Sequence, residues 1–443
     1  MFEQSLTLFN QNFLDSISFE QNRQALESLR AKAQGMHSGL EIQNKKASSK
    51  KTRNLGNESQ DDQDKNAITP STLKSTPKSD KSFNNSSFSP EKSLLGKRKL
   101  IPLVEGCNDV ENYTMLNYIH EGVYGMVYRA KDNFSDQIYA IKKIKFEHEK
   151  EGFPLSSMRE ITLLQLLKHP NLVNMKEVVM GKSNNDVYMV MEYAENELRD
   201  LIQRHKYNFS MAEIKGLMKQ LLQAMAYLHS KEVVHRDLKT SNILYTQKGL
   251  LKVCDFGLSR KMMSKKKSYT PIVVTLTYRA PELLLGDSNY SSKIDMWSVG
   301  CILAELLQKK SLFKAKTEME QIDLIFKTLG APSTALWPGW KQLKYAKFFE
   351  GKSYPPNELH EILTDIKLQE GESFSESGFD LLDRLLTYNP ELRISAAEAL
   401  KHPWFSEAPL PKQPHEMPKI IDTNEAPRDQ NKKLCLNNPK VVS

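Results

Sequence analysis

The chain has 443 residues, 26% of them charged, and a formal net charge of +8 at pH 7. Cys107, Cys254, Cys301 and Cys435 are scattered with no C-x-x-C pair, which argues against a zinc site or a disulfide framework and fits a reducing compartment. No apolar run reaches membrane-spanning length and Met1-Phe2-Glu3-Gln4 lacks the basic-then-apolar form of a secretory signal, so an intracellular protein without membrane contact is expected.

The first thirty residues place Leu6, Phe9, Phe13 and Ile17, then Ala25, Leu26 and Leu29, at helical spacings. Short amphipathic helices that dock a partner, or marginal helices in a tail, both fit. From about 35 to 108 the chain is rich in Ser, Asn, Lys and Gln and poor in large apolar residues. Such a segment cannot bury enough surface to offset ordering entropy, so residues 1–110 are expected to be mostly a disordered tail. Its basic clusters, Lys45-Lys46 with Lys50-Lys51 and Arg53, and Lys97-Arg98-Lys99, fit nuclear import and equally a solvated charge run. Thr69, Thr76 and Ser89 each precede proline. The modest positive charge suits an acidic partner, and direct nucleic-acid binding is not expected.

Chemistry begins at Ile119-His120-Glu121-Gly122-Val123-Tyr124-Gly125-Met126-Val127. Glycines there let backbone amides approach phosphate oxygens with no Cβ in the way. Tyr139-Ala140-Ile141-Lys142 follows as a strand carrying a lysine, and Glu160 lies farther on. Asp186 to Ala194 reads as a buried strand. Met218, Leu221, Leu222, Met225 and Leu228 repeat at helical spacing, a packing stripe rather than a site. In His235-Arg236-Asp237-Leu238-Lys239-Thr240-Ser241-Asn242, Asp237 can accept the proton of a hydroxyl and Asn242 can hold a metal ion. Lys239 puts positive charge between them. Asp255-Phe256-Gly257 and Ala280-Pro281-Glu282 complete the series.

In this order the segments resemble the signature set of the eukaryotic protein kinases. The resemblance implies an α+β, two-lobed fold over residues 113–405: a small β-rich lobe 113–191 with one helix, a hinge 192–197 and a larger helical lobe 198–405. Residues 406–443 read as a tail. It implies ATP and Mg2+ as cofactors. Lys142 would contact the phosphates and pair with Glu160, and Asp237 and Lys239 would serve phosphoryl transfer. Asn242 and Asp255 would hold metal. The nucleotide would lie among Ile119, Gly122, Tyr124, Gly125, Val127, Ala140 and Leu244, under the backbone of Glu192 and Ala194, with Met191 as gatekeeper.

Pro154-Leu155-Ser156-Ser157-Met158-Arg159-Glu160 is similar to the PSTAIRE-type helix by which cyclin-dependent kinases bind a cyclin. The heptad differs from PISSLRE at two positions and from PITSLRE at three. Glu149 to Pro154, Lys239 to Asn242 and Tyr269 to Thr275 resemble the PITSLRE type, which is the reading adopted, with PISSLRE as the alternative. A cyclin, of L type by this resemblance, would bind at residues 152–160. Thr270 takes the activating-phosphothreonine position, with Arg159, Arg236 and Arg260 as its pocket. Val274, Thr275 and Arg279 would favour proline after the target Ser or Thr, since proline has no N–H to satisfy. Glu282 and Arg393 would form a buried ion pair, and Asp295 would brace the catalytic loop.

Three departures stand out. His120 replaces the first glycine of the nucleotide loop. Val123 replaces a phosphorylatable threonine, leaving Tyr124 as the inhibitory phosphosite. Thr277 stands where the family usually has tryptophan, which puts substrate stringency in doubt. Cys254, directly before Asp255, is a candidate covalent handle: a nearby ammonium favours its thiolate and burial opposes it. The expected function is a proline-directed serine/threonine kinase of nucleus and cytoplasm, acting in transcription, RNA processing or the cell cycle. The rival from another class is a pseudokinase scaffold.

Overall fold

The computed structural model describes residues 107–122, 125–146, 153–183, 186–262, 273–364 and 372–422. They fall within the unit Gly106–Ser443. The expectations for residues 1–106, including tail disorder, import signals and the Thr69, Thr76 and Ser89 sites, lie outside the described residues, as do those for Val123, Tyr124, Thr270 and residues 423–443.

The first lobe is a six-stranded sheet. Its strands are β1 (Asn108–Asp109), β2 (Tyr113–Gly122), β3 (Gly125–Asp132), β4 (Ile138–Ile144), β5 (Met175–Met180) and β6 (Val187–Glu192), in the order β1-β5-β6-β4-β3-β2. The longer strands pair antiparallel, while β1 adds in parallel to Val179 and Met180 of β5. Alternation along the strands sends Tyr113, Ala130, Ile141, Val179 and Val190 into one cluster. Helix α1 (Leu155–Leu166) starts after Pro154, whose missing N–H is tolerated at a helix start, and buries Ile161 and Leu164.

The second lobe is helical. Helix α2 (Met211–Ser230) opens with a reciprocal cap: Ser210 Oγ accepts from the Glu213 amide, and Glu213 accepts from the Ser210 amide at 2.9 Å. The apolar stripe read from its sequence is buried in full, with Met218, Leu222, Met225 and Leu228 at zero exposure. At about 1.5–3 kcal/mol per buried aliphatic side chain, that stripe anchors the lobe far more strongly than the cap does. The lobe's other α-helices are α3 (Pro281–Leu284), α4 (Lys293–Gln308), α5 (Glu318–Leu329), α6 (Leu359–Thr364), α7 (Glu376–Leu385) and α8 (Ala396–Ala399), of which α4 and α8 pack on α2. Nearly every residue of α4 is buried, as expected of a helix at the centre of a lobe. Short strands frame the cleft: β7 (Asn196–Glu197), β9 (Ile243–Tyr245) and β10 (Leu251–Val253) form one sheet, and β8 (Val233–Val234) pairs with β11 (Arg260–Lys261). The architecture is the α+β two-lobed kinase fold.

Beyond Phe405 the chain turns back over the helical lobe. The Lys412 amide donates to Ala212 O, its ammonium lies 2.9 Å from Glu213 Oε1, and the Tyr245 hydroxyl donates to Pro418 O at 2.6 Å. Met417 is buried by this course. Gly249 makes it possible: φ is +73°, and a Cβ there would lie 2.0 Å from Pro414 O.

Candidate active site

The cleft is assembled from β4, α1, the loop His235–Asn242 and the segments around Asp255 and Thr275. Lys142, midway along β4, is in register between Val127 and Met189. Its Nζ lies 2.8 Å from both carboxylate oxygens of Glu160 and 3.8 Å from Asp255 Oδ1. Burial opposes charge on Lys142, and Glu160 and Asp255 overcome it, holding the ammonium above its ordinary range. Gly125 opposite is forced by space: a Cβ would meet Lys143 O at 2.3 Å. Ile119, Val127, Ala140 and Leu244 are all half-buried apolar residues, and Ala194 is buried.

Asp237 is buried and carries four partners. Its Oδ1 accepts from the Thr275 amide at 3.0 Å and the Thr275 hydroxyl at 2.8 Å. Its Oδ2 accepts from Lys239 at 2.7 Å and from Asn242 Nδ2 at 3.2 Å. Asn242 Nδ2 also donates to the Asp237 carbonyl at 2.9 Å, which commits the amide nitrogen and leaves its oxygen as the ligand atom. Asp255 supplies the carboxylate. An amide oxygen and one carboxylate suit Mg2+, which keeps waters and substrate phosphates for its other positions. Among the described residues no cluster of three or more His, Cys, Asp or Glu could hold a metal by itself.

Three residues here hold positive φ: Arg236 at 66°, Asp255 at 63° and Val274 at 68°. Such conformations cost about 1–3 kcal/mol each and persist only where neighbours impose them. For Arg236 the neighbour is Asp295, whose Oδ2 and Oδ1 accept from the amides of His235 and Arg236 at 2.9 and 3.0 Å. Burial works against charge on Asp295, yet His229 and the Arg236 amide hold its carboxyl below the ordinary range. For Val274 it is Arg279, whose Nη2 and Nε donate to the Val274 carbonyl at 2.8 and 3.1 Å. Arg279 also pairs with Glu318 at the start of α5.

Of the three arginines expected around a phosphothreonine, Arg236 donates to Leu258 O at 2.7 Å and to the Tyr290 hydroxyl at 2.9 Å. Arg260 faces Val234 across β11 and β8, and Arg159 stands beside Glu160 on α1. Thr275, expected from the sequence only to shape substrate choice, is seated by the fold on Asp237 and within 3.2 Å of Lys239. Sequence reading also missed Glu305. This fully buried carboxylate accepts from Tyr278 at 2.6 Å, Gln203 at 2.6 Å and Thr240 at 3.3 Å, tying the catalytic loop to the segment after Thr277. No local periodicity marks such pairs.

Cys254 is half-buried, and burial followed by the adjacent Asp255 carboxylate pushes its thiol well above its ordinary value. Thiolate is therefore scarce there at neutral pH. An acrylamide-type electrophile at pH 7 should leave Cys254 unlabelled, as read by peptide mass mapping; rapid labelling that ATP blocks would refute this.

Among the described residues no helix is long and apolar enough to cross a membrane. The protein kinase domain family matches residues 113–405. Cyclin-dependent kinase G-1 of Oryza sativa subsp. indica is 50% identical over 75% of the chain and 48% of its own length. The chain thus spans about half the length of the first curated relatives it matches. Cyclin-dependent kinase 11B of Rattus norvegicus is 48% identical over 72% of each chain. Among solved structures, a chain from the crystal structure of the yeast RNA Pol II CTD kinase CTDK-1 complex is 38% identical with a TM-score of 0.63. That match covers 70% of this chain and 97% of the other.

Proposed function

The chain belongs to the protein kinase family, among the cyclin-dependent kinases of the 11 and plant G type, and from that premise we propose that it transfers the γ-phosphoryl group of ATP to Ser or Thr followed by Pro. The observation that carries this reading is the Lys142–Glu160 pair at 2.8 Å with Asp255 beside it, the arrangement phosphoryl transfer requires. Asp237 orients the substrate hydroxyl and takes its proton as the oxygen bonds to phosphorus and the bond to the ADP oxygen breaks. Lys142 and Lys239 face the phosphates, and Glu160 holds Lys142 in place. Asn242 and Asp255 would hold Mg2+, which neutralises phosphate charge. The same intact constellation speaks against a scaffold that has lost transfer.

A cyclin seated on the α1 segment is part of the proposal, supported by the relatives' names and by the heptad Pro154–Glu160. The L type rests on resemblance alone, as does a nuclear role in transcription or RNA processing. A phosphate on Thr270 adds one to three charge-assisted bonds, each worth about 1.5–3 kcal/mol, against about 1–2 kcal/mol of entropy for each loop residue ordered. Phosphate alone is a marginal switch, and the cyclin supplies the rest. The test is transfer of radiolabelled phosphate from ATP to a Ser-Pro peptide, with and without cyclin. Transfer that depends on cyclin is expected; none with any cyclin overturns the reading. Thr270→Ala should lower that activity while cyclin capture on beads is retained. Equal rates for mutant and wild type after treatment with an activating kinase would remove Thr270 as the switch.

Selection for proline follows from Arg279. With the Val274 carbonyl taken by two guanidinium donors, a substrate amide after the target residue finds no acceptor. An N–H left unsatisfied costs about 1–3 kcal/mol, roughly a 5- to 150-fold preference for proline. Arg279→Ala should collapse that preference. The check is the ratio of kcat/KM for Ser-Pro and Ser-Ala peptides, and a preserved ratio would rule this origin out.

A further inference from the structure

The chain beyond Phe405 ends its described course against the segment that links the lobes. Asp422 is 6% exposed, although Ile421 beside it is 82% exposed. The Tyr193 hydroxyl donates to its Oδ2 and Oδ1 at 2.8 and 3.0 Å, and Oδ2 lies 3.8 Å from Arg129 Nε. Arg129, on β3, also lies over the Tyr193 ring, its Cζ 5.4 Å from the centroid. One carboxylate thus joins the sheet lobe to the linking segment, while Lys412 and Pro418 tie the same stretch to the helical lobe. A carboxylate leaves water only when pairing outweighs the desolvation, so these contacts hold Asp422 in place against an exposed alternative.

Tyr193 lies between Glu192 and Ala194. The Glu192 carboxylate is itself fixed, 2.8 and 2.9 Å from Lys252 Nζ and 2.6 Å from the Asn174 amide. We propose that Asp422 is a positioning residue for nucleotide binding: by holding the Tyr193 side chain it sets the backbone on either side, where Glu192 and Ala194 meet adenine. This rests on the reading that the cleft takes ATP. The competing account is a strap that adds stability and nothing else.

Titration of the full chain with Mg-ADP by calorimetry separates the two, since it needs neither cyclin nor peptide. Asp422→Ala and Tyr193→Phe should each weaken ADP binding by about 3- to 10-fold, the scale of one or two hydrogen bonds. Asp422→Asn keeps an acceptor for Tyr193 and should recover most of the loss. In the cyclin-activated assay the KM for ATP should rise in step, with kcat little changed. Wild-type ADP affinity in both Asp422→Ala and Tyr193→Phe overturns the inference, even if the melting temperature falls. If Asp422→Ala does not fold, Tyr193→Phe, which removes a single oxygen, decides alone. A wild-type chain that binds no ADP overturns the ATP reading and this inference with it.

Discussion

Asp237→Asn should fold, bind nucleotide and lose phosphoryl transfer by about 10²–10⁴-fold in kcat, the range a positioned acid–base group contributes. The geometry says why an isosteric change is so severe. One oxygen of Asp237 is occupied by Thr275, and the other accepts from the Lys239 ammonium at 2.7 Å. An amide can keep the first contact only by turning its own donor toward Lys239, so the base is lost and the lysine is pushed from its place. The measurement is kcat at saturating ATP and Ser-Pro peptide, beside a melting curve and an ADP titration on the same sample. Undiminished turnover would remove Asp237 from the mechanism. Loss of ADP binding would show that the change acted on folding instead.

Arg393→Met should destabilise the helical lobe by about 3–5 kcal/mol, because it strands a buried charge. Arg393 and Glu282 are both at zero exposure and meet through two parallel bonds, 2.7 and 2.9 Å long. Replacing both members of a buried pair with apolar residues is often neutral. Here it should not be. Arg393 also donates to the carbonyls of Thr387 at 2.9 Å, Lys293 at 2.7 Å and Tyr388 at 3.2 Å. Those acceptors stay behind in Glu282→Leu/Arg393→Met, and each unsatisfied group costs about 1–3 kcal/mol. Urea unfolding followed by tryptophan fluorescence reports the effect, since Arg393 lies over the Trp297 ring. A double variant as stable as wild type would show that the carbonyl network contributes nothing net and that the loss in Arg393→Met is the stranded Glu282 charge alone.

The fold was legible because its evidence is local. Apolar spacing placed the buried face of α2, and ordered short motifs implied two lobes and a cleft. Much of the site geometry follows from the same motifs: Lys142, Glu160 and Asp255 converge, and Arg279 reaches Val274. Pairs made between distant segments were not legible. Thr275 meets Asp237 across 38 positions and Tyr193 meets Asp422 across 229, and neither spacing leaves a periodic trace in sequence. The acid–base direction of Cys254 needed the fold too. Sequence alone showed an ammonium and a burial effect opposing each other, and only the structure shows burial and Asp255 prevailing.

The protein kinase domain match ends at residue 405, but the surface of the helical lobe does not close there. Lys215 is fully buried beside the Trp404 ring, and its ammonium donates to Glu407 O and Oε1. Gly216 and Gly249 leave room for the backbone at Lys412 and Pro414, and Met417 fills the space between. A recombinant fragment cut at Phe405 would strip the Lys215 ammonium of its anion and open the space beside Gly216 and Gly249 that Met417 fills. Such a fragment should come out of expression aggregated or bound to chaperones. One that runs through Asp422 should stay in solution.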